Sequence, residues 1–165
     1  MVKKDIESVI KNDLLYNATS GIITWGVKRR GVSFGEEAGT LEKSGYKKIM
    51  IERKYYLAHR IAWLLHYGEW PNGIIDHIDG NPSNNKICNL RISTSSLNAA
   101  NKKRPLTNNS GFKGVSWCKT HEKWYASIKV KGRSKNLGYY KNAETAFAAY
   151  IKAAYSHFGD HARAF

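Results

Sequence analysis

An α+β protein of two small modules is what this sequence predicts, and three observations carry the prediction. Residues 74–100 run strand, polar loop, strand, helix. Residues 124–130 alternate apolar and polar at a period of two, as a half-buried strand does. Phe147, Tyr150, Ile151, Ala154, Tyr155 and Phe158 then recur at helical spacing. The expected organisation is a first module over residues 1–100, a linker over 101–110, and a three-stranded antiparallel sheet packed on one helix over 111–165.

In chain order, Ile6, Val9, Ile10 and Leu14 predict a short helix within residues 3–16. Tyr16 to Trp25 reads as a hairpin turning at Ala18-Thr19-Ser20-Gly21. Lys28-Arg29-Arg30-Gly31 makes a basic loop, either solvated or in contact with phosphate. Gly39-Thr40 and Ser44-Gly45 bracket a turn before strands at Tyr46–Glu52 and Lys54–Leu57. A helix from Ala58 to Tyr67 carries Leu57, Ile61, Leu64 and Leu65 on one stripe and stops at Gly68. His59, at its start, reads as a packed, hydrogen-bonded histidine, with orientation of the following segment or a phosphate contact as the alternatives.

Ile74, Ile75 and Ile78 form a strand closed by the turn residues Asp79-Gly80-Asn81-Pro82. Ile87, Leu90 and Ile92 mark a second strand, and Ser93 to Ser96 offer N-caps for a helix through Leu97-Asn98-Ala99-Ala100. Asn101 to Ser110, with its basic run and Pro105, breaks the composition as a linker does. Strands at Phe112–Cys118, Trp124–Val130 and Arg133–Tyr140 follow, and Asn142 caps the last helix, which ends at Gly159. Trp124, Ala126, Ile128 and Val130 share the packed strand face; Tyr125, Ser127 and Lys129 share the wet one.

The chemistry lies in IIDHIDGNPSNNKICNLRISTSSLNAANKK, residues 74 to 103. Asp76 and His77 are neighbours on a strand, so their side chains leave on opposite sides of the backbone. Hydrolysis of a phosphodiester needs a base for water and a cation to neutralise developing charge. Asp76 and Asn98 offer oxygen ligands that suit Mg2+ or Mn2+, and His77 can be neutral and basic near physiological pH. Asp76-His77, Asp79-Gly80-Asn81, Asn84-Asn85, Asn89-Leu90-Arg91 and Asn98 fall in order within 23 positions.

On these residues the chain resembles the HNH endonucleases, in particular phage and intron homing endonucleases with a DHIDGN-type first strand and an NLR second strand. The resemblance implies a ββα-metal (His-Me) finger. Asp76 and Asn98 would be metal ligands and His77 the general base, with the Asn89 amide holding the loop and orienting His77. Many family members have His where this chain has Asn98, which permits Mg2+ and argues against zinc. The likeness extends upstream through Gly45-Tyr46, Ala58-His59-Arg60, Ala62-Trp63 and Tyr67-Gly68-Glu69-Trp70-Pro71.

Gly114-Val115, Lys123 to Ile128, Leu137-Gly138-Tyr139-Tyr140, Ala143 to Ala146 and Ala148-Ala149-Tyr150 resemble the APETALA-two and ethylene-response-factor DNA-binding domain. That resemblance implies DNA-facing positions at Lys113, Gly114, Ser116, Cys118, Lys123, Ser127, Lys129 and Asn136. Lys119, Lys131, Arg133 and Lys135 add to the same basic surface, and Lys102, Lys103 and Arg104 stand ready to grip backbone at the end of the nuclease helix. Ser116 and Cys118 cannot make arginine's bidentate guanine contact, so the plant sequence preference does not carry over.

The charge distribution agrees with a double-stranded DNA partner. Residues 1–99 carry 14 Lys+Arg against 10 Asp+Glu, whereas residues 100–165 carry 13 against 3. Cys88 and Cys118 form no CxxC pair and no four-cysteine zinc cage. No run of about 18 apolar residues is present to span a membrane, and charged residues rather than a signal core follow Met1. The expectation is a soluble cytoplasmic protein, in the bacterial host cytoplasm if phage-encoded. As a monomer with one site it would nick one strand; a dimer would cut both. The competing classes are a non-catalytic DNA-binding regulator on a retained nuclease fold and an RNA-directed nuclease.

Overall fold

A computed structural model describes residues 5–28, 31–102 and 108–163. The chain divides into two compact units, Met1–Ser93 and Thr94–Phe165.

In the first unit, α1 (Ile6–Asp13) begins where the Asp5 carboxylate accepts from the N–H groups of Glu7 at 3.2 Å and Ser8 at 3.3 Å, satisfying two donors that a helix start leaves without partners. The helix ends before the apolar spacing predicts. Leu14 is extended instead, because β1 (Leu14–Tyr16) pairs with β2 (Ile23–Trp25) and sets the buried Leu14 opposite the buried Trp25. Cross-strand packing outweighs a helical preference of a few tenths of a kcal/mol per residue.

A three-stranded antiparallel sheet follows, β3 (Thr40–Leu41), β4 (Lys47–Ile51) and β5 (Lys54–Leu57), with β4 in the middle. Where the sequence predicts only a turn, Thr40 and Leu41 pair with Lys48 and Lys47 as β3. β4 and β5 join through Glu52 and Arg53, both at positive φ (48° and 61°), as a two-residue primed hairpin turn requires. α2 (Ala58–Tyr67) closes on Gly68, whose φ of 82° lets its N–H reach the Leu64 carbonyl. Ile10, Leu14, Ile49, Ile51, Ile61 and Leu64 form the fully buried heart of this unit.

From that core, the Arg60 guanidinium donates to the carbonyls of Gly73 (3.0 Å) and Pro71 (3.4 Å), tying α2 to the segment that enters β6 (Ile74–His77). β6 pairs antiparallel with β7 (Leu90–Ser93). The expected strand start at Ile87 is instead a 3-10 turn over Ile87–Asn89. There the Ile87 N–H is taken by the Ala18 carbonyl and the Asn89 side chain is drawn into the loop, so pairing starts only at Leu90.

The second unit opens with α3 (Ser95–Asn101), capped by the Thr94 hydroxyl, which accepts from the Leu97 N–H at 3.3 Å. β8 (Val115–Cys118), β9 (Lys123–Val130) and β10 (Arg133–Tyr140) form an antiparallel meander with β9 central. Asn142 caps α4 (Ala143–Phe158), accepting from the Thr145 N–H at 3.0 Å. The alternation read from β9 holds: Ala126 and Ile128 are buried under α4. Leu97 and Ala100 of α3 share a core with Ile128, Tyr150, Ala154 and Phe158. β8 starts later than Phe112 because Gly114 turns at φ 74°. No described helix is long and apolar enough to cross a membrane.

Candidate functional site

β6 brings Asp76 and His77 together at 3% and 4% exposure. A carboxylate buried that far needs compensation, and the cross-strand register supplies it. Asp76 lies opposite Arg91, whose Nε and Nη2 both stand 2.9 Å from Asp76 Oδ2. Arg91 was named in the sequence motif without a task; its place directly across the hairpin sets it as the residue that orients Asp76.

His77 sits in a cluster of rings. Its centroid is 5.1 Å from His59 and 6.0 Å from Tyr46, both edge-on, while Tyr46 and His59 are 5.5 Å apart. Burial pushes the His59 pKa down to about 3, with the charges of His77 and Arg60 adding to the effect. His59 is therefore a neutral packing partner of His77. On another side, His77 Nε2 lies 3.1 Å from Asn85 Oδ1, and Asn85 is itself 4% exposed.

The loop between the strands is locked by two side chains. Asn89 accepts the Asp79 N–H at 3.0 Å and donates to Asp79 Oδ1 (3.0 Å) and the Asn84 carbonyl (2.8 Å). Asp79 also accepts from the Asn81 N–H at 2.8 Å and the Asn84 amide at 2.7 Å. Burial works to raise the Asp79 pKa, but these hydrogen bonds, with help from His77, hold it below the ordinary carboxylate value. Asn89 thus ties the loop to β7. The side-chain oxygen 3.1 Å from His77 Nε2 belongs to Asn85, a residue indistinguishable in the sequence from the other loop asparagines.

Asn98 lies on α3, half-buried, its N–H bonded to the Thr94 carbonyl at 2.9 Å. Among the described residues no group of three or more His, Cys, Asp and Glu side chains gathers as a metal cage. A carboxylate or an amide oxygen is the donor type that suits a hard divalent cation retaining several waters, rather than a soft, thiolate-loving one.

In the second unit the sheet register sorts the basic positions into two faces. Ser116 pairs with Tyr125, Ser127 with Asn136, and Lys129 with Ser134 on the side away from α4, which Lys123 shares. Arg133 and Lys135 pair with Val130 and Ile128 and leave on the helix side. Lys119 and Lys131 are exposed in the two connecting turns. Tyr125, Tyr139 and His121 join the outer face, with Tyr139 5.3 Å from Tyr125 and 4.3 Å from His121. Sequence reasoning omitted these rings from the candidate surface, although Tyr125 stood on the wet face of its alternation.

Two positions that the resemblance assigns to DNA make contacts within the protein. The Lys113 ammonium donates to the carbonyls of Ala100, Lys102 (2.7 Å) and Arg163 (3.2 Å), and burial, then Arg163, lowers its pKa to about 8. Gly114 is packed against Tyr150. Lys28 and Lys102 are exposed. Arg29, Arg30, Lys103 and Arg104 lie outside the described residues.

A profile of the HNH endonuclease family matches residues 56–100. Protein 3.8 of Escherichia phage T7 is 40% identical over 89 residues, spanning 52% of this chain and 74% of that protein. The solved HNH homing endonuclease I-HmuI aligns over 88% of this chain and 80% of its own at 23% identity, with a TM-score of 0.44.

Proposed function

The chain belongs to the HNH endonuclease family, and on that premise we propose that it is a divalent-metal-dependent DNA endonuclease of the phage homing type. One observation carries the proposal: a buried Asp76-His77 pair on β6, with the adjoining loop locked by Asn89.

In this reading His77 takes the proton from the attacking water, a role worth roughly 10²- to 10⁴-fold in rate. Asp76 and Asn98 would hold Mg2+ or Mn2+. The ion would neutralise charge on the phosphate and the leaving oxygen. Arg91 keeps the Asp76 carboxylate from turning, and Asn89 keeps the loop closed. Residues 111–165, read as an APETALA-two-like module, supply affinity for double-stranded DNA through the outer face of their sheet, since the major groove admits β-strands.

Supercoiled plasmid separates this from the regulator reading. Wild-type protein with Mg2+ is expected to produce nicked circles; EDTA and His77→Ala are each expected to abolish them while the variant still binds duplex. Tight binding without metal-dependent cutting on several DNAs would favour the non-catalytic regulator. Linear product released in a single binding event by monomeric protein would overturn the one-strand assignment.

A further inference from the structure

His77 has two ring nitrogens, and only an unprotonated one can accept a proton from water. We infer that Asn85 decides which one: its side-chain carbonyl accepts the His77 Nε2–H and leaves the lone pair on Nδ1, while the β1–β2 hairpin clamps Asn85 in place. The catalytic consequence rests on the nuclease reading; the geometry stands without it.

The contact is Asn85 Oδ1 to His77 Nε2 at 3.1 Å. An amide carbonyl only accepts, so this contact requires hydrogen on Nε2, and a neutral imidazole then carries its lone pair on the other nitrogen. Both partners are almost wholly buried. The rings of His59 and Tyr46 pack against His77, which limits the imidazole's freedom to turn away from Asn85.

Asn85 is held through its backbone. The Tyr16 hydroxyl of β1 donates to the Asn85 carbonyl at 2.7 Å. Two residues on, the Ile87 N–H donates to the Ala18 carbonyl at 3.2 Å. Gly21, in the hairpin turn, lies flush on the Asn85–Lys86 peptide: a Cβ there would stand 2.5 Å from Lys86 N and 2.7 Å from the Asn85 carbonyl carbon. A hairpin far from the motif in sequence thereby fixes the loop segment that orients the base. Asn85 is a positioning residue, acting through His77.

The test uses the full chain, labelled with 15N-histidine and free of metal, and reads the tautomer from two-bond 1H–15N correlations of the imidazole. Wild-type His77 is expected as the Nε2–H form. Asn85→Ala is expected to lose that signature, and Asn85→Asp, which keeps an acceptor in place, to retain it. In nicking assays Asn85→Ala should lower kcat by roughly 10- to 100-fold, less than the 10²- to 10⁴-fold that a positioned general base contributes in full, without raising KM for DNA. An Nδ1–H tautomer in the wild type overturns the inference even if the alanine variant fails to fold. So does an unchanged tautomer and kcat in folded Asn85→Ala. If wild-type protein cuts no DNA yet shows an Asn85-dependent Nε2–H, the positioning contact stands and the nuclease reading falls.

Discussion

Around β6, individual residues are held by burial more than by charge. His59 is the clearest case, since a 5%-exposed imidazole beside a second histidine has no room for a proton. Its folded pKa of about 3 lies below the 6.5 of a free imidazole, so between these values the unfolded chain binds a proton that the native chain does not. Stability is therefore full above pH 6.5 and falls as pH drops toward 3, by at most about 1.4 kcal/mol per pH unit from this group. Denaturant melts of the wild type and His59→Gln between pH 7 and 4 check this. The wild type should lose stability more steeply; parallel slopes would mean that His59 is not buried neutral.

Elements in the second unit meet through close backbone approaches. Gly114 has φ 74°, and a Cβ there would stand 2.1 Å from the Tyr150 ring and 2.8 Å from the Ser127 carbonyl. Gly111 has a similar φ of 79° with open space around it. Gly111→Ala should therefore incur only the left-handed backbone strain, about 1–2 kcal/mol. Gly114→Ala adds overpacking of about 1–3 kcal/mol, because α4 must lift off the sheet. Equal losses in the urea midpoints of the two variants would show that α4 does not press on Gly114. The resemblance assigned this glycine to DNA, whereas packing gives it a sufficient structural task.

The whole molecule carries a net charge of +14, most of it after residue 99. If the outer face of β8–β10 holds DNA, each phosphate contact removed should lower the magnitude of the log–log salt slope by about 0.9. Lys123→Ser and Lys129→Ser are expected to do so, while Arg133→Ser and Lys135→Ser, on the helix side, should leave the slope in place. Affinities of the full chain for one duplex at several salt concentrations decide it. Equal effects from all four would mean that the positive charge acts as a diffuse field rather than through one face.

Local pattern alone specifies the α+β class, the strand–loop–strand–helix order around Asp76 and His77, and both long strands and the helix of the second unit. Those features are local: turn residues, alternation and helical spacing are written within a few positions of the elements they specify. The remaining features depend on contacts between segments distant in sequence. Leu14 left its predicted helix for a partner in β2, Ile87 left its predicted strand for a carbonyl of the hairpin turn, and Lys113 turned toward the carbonyls of Ala100 and Arg163. The same holds at the site. Asn84, Asn85 and Asn89 are the same residue type in one loop, and only the fold separates those that tie the loop from the one beside His77 Nε2. A hydrogen bond between distant segments depends on where the chain returns, which no local pattern records.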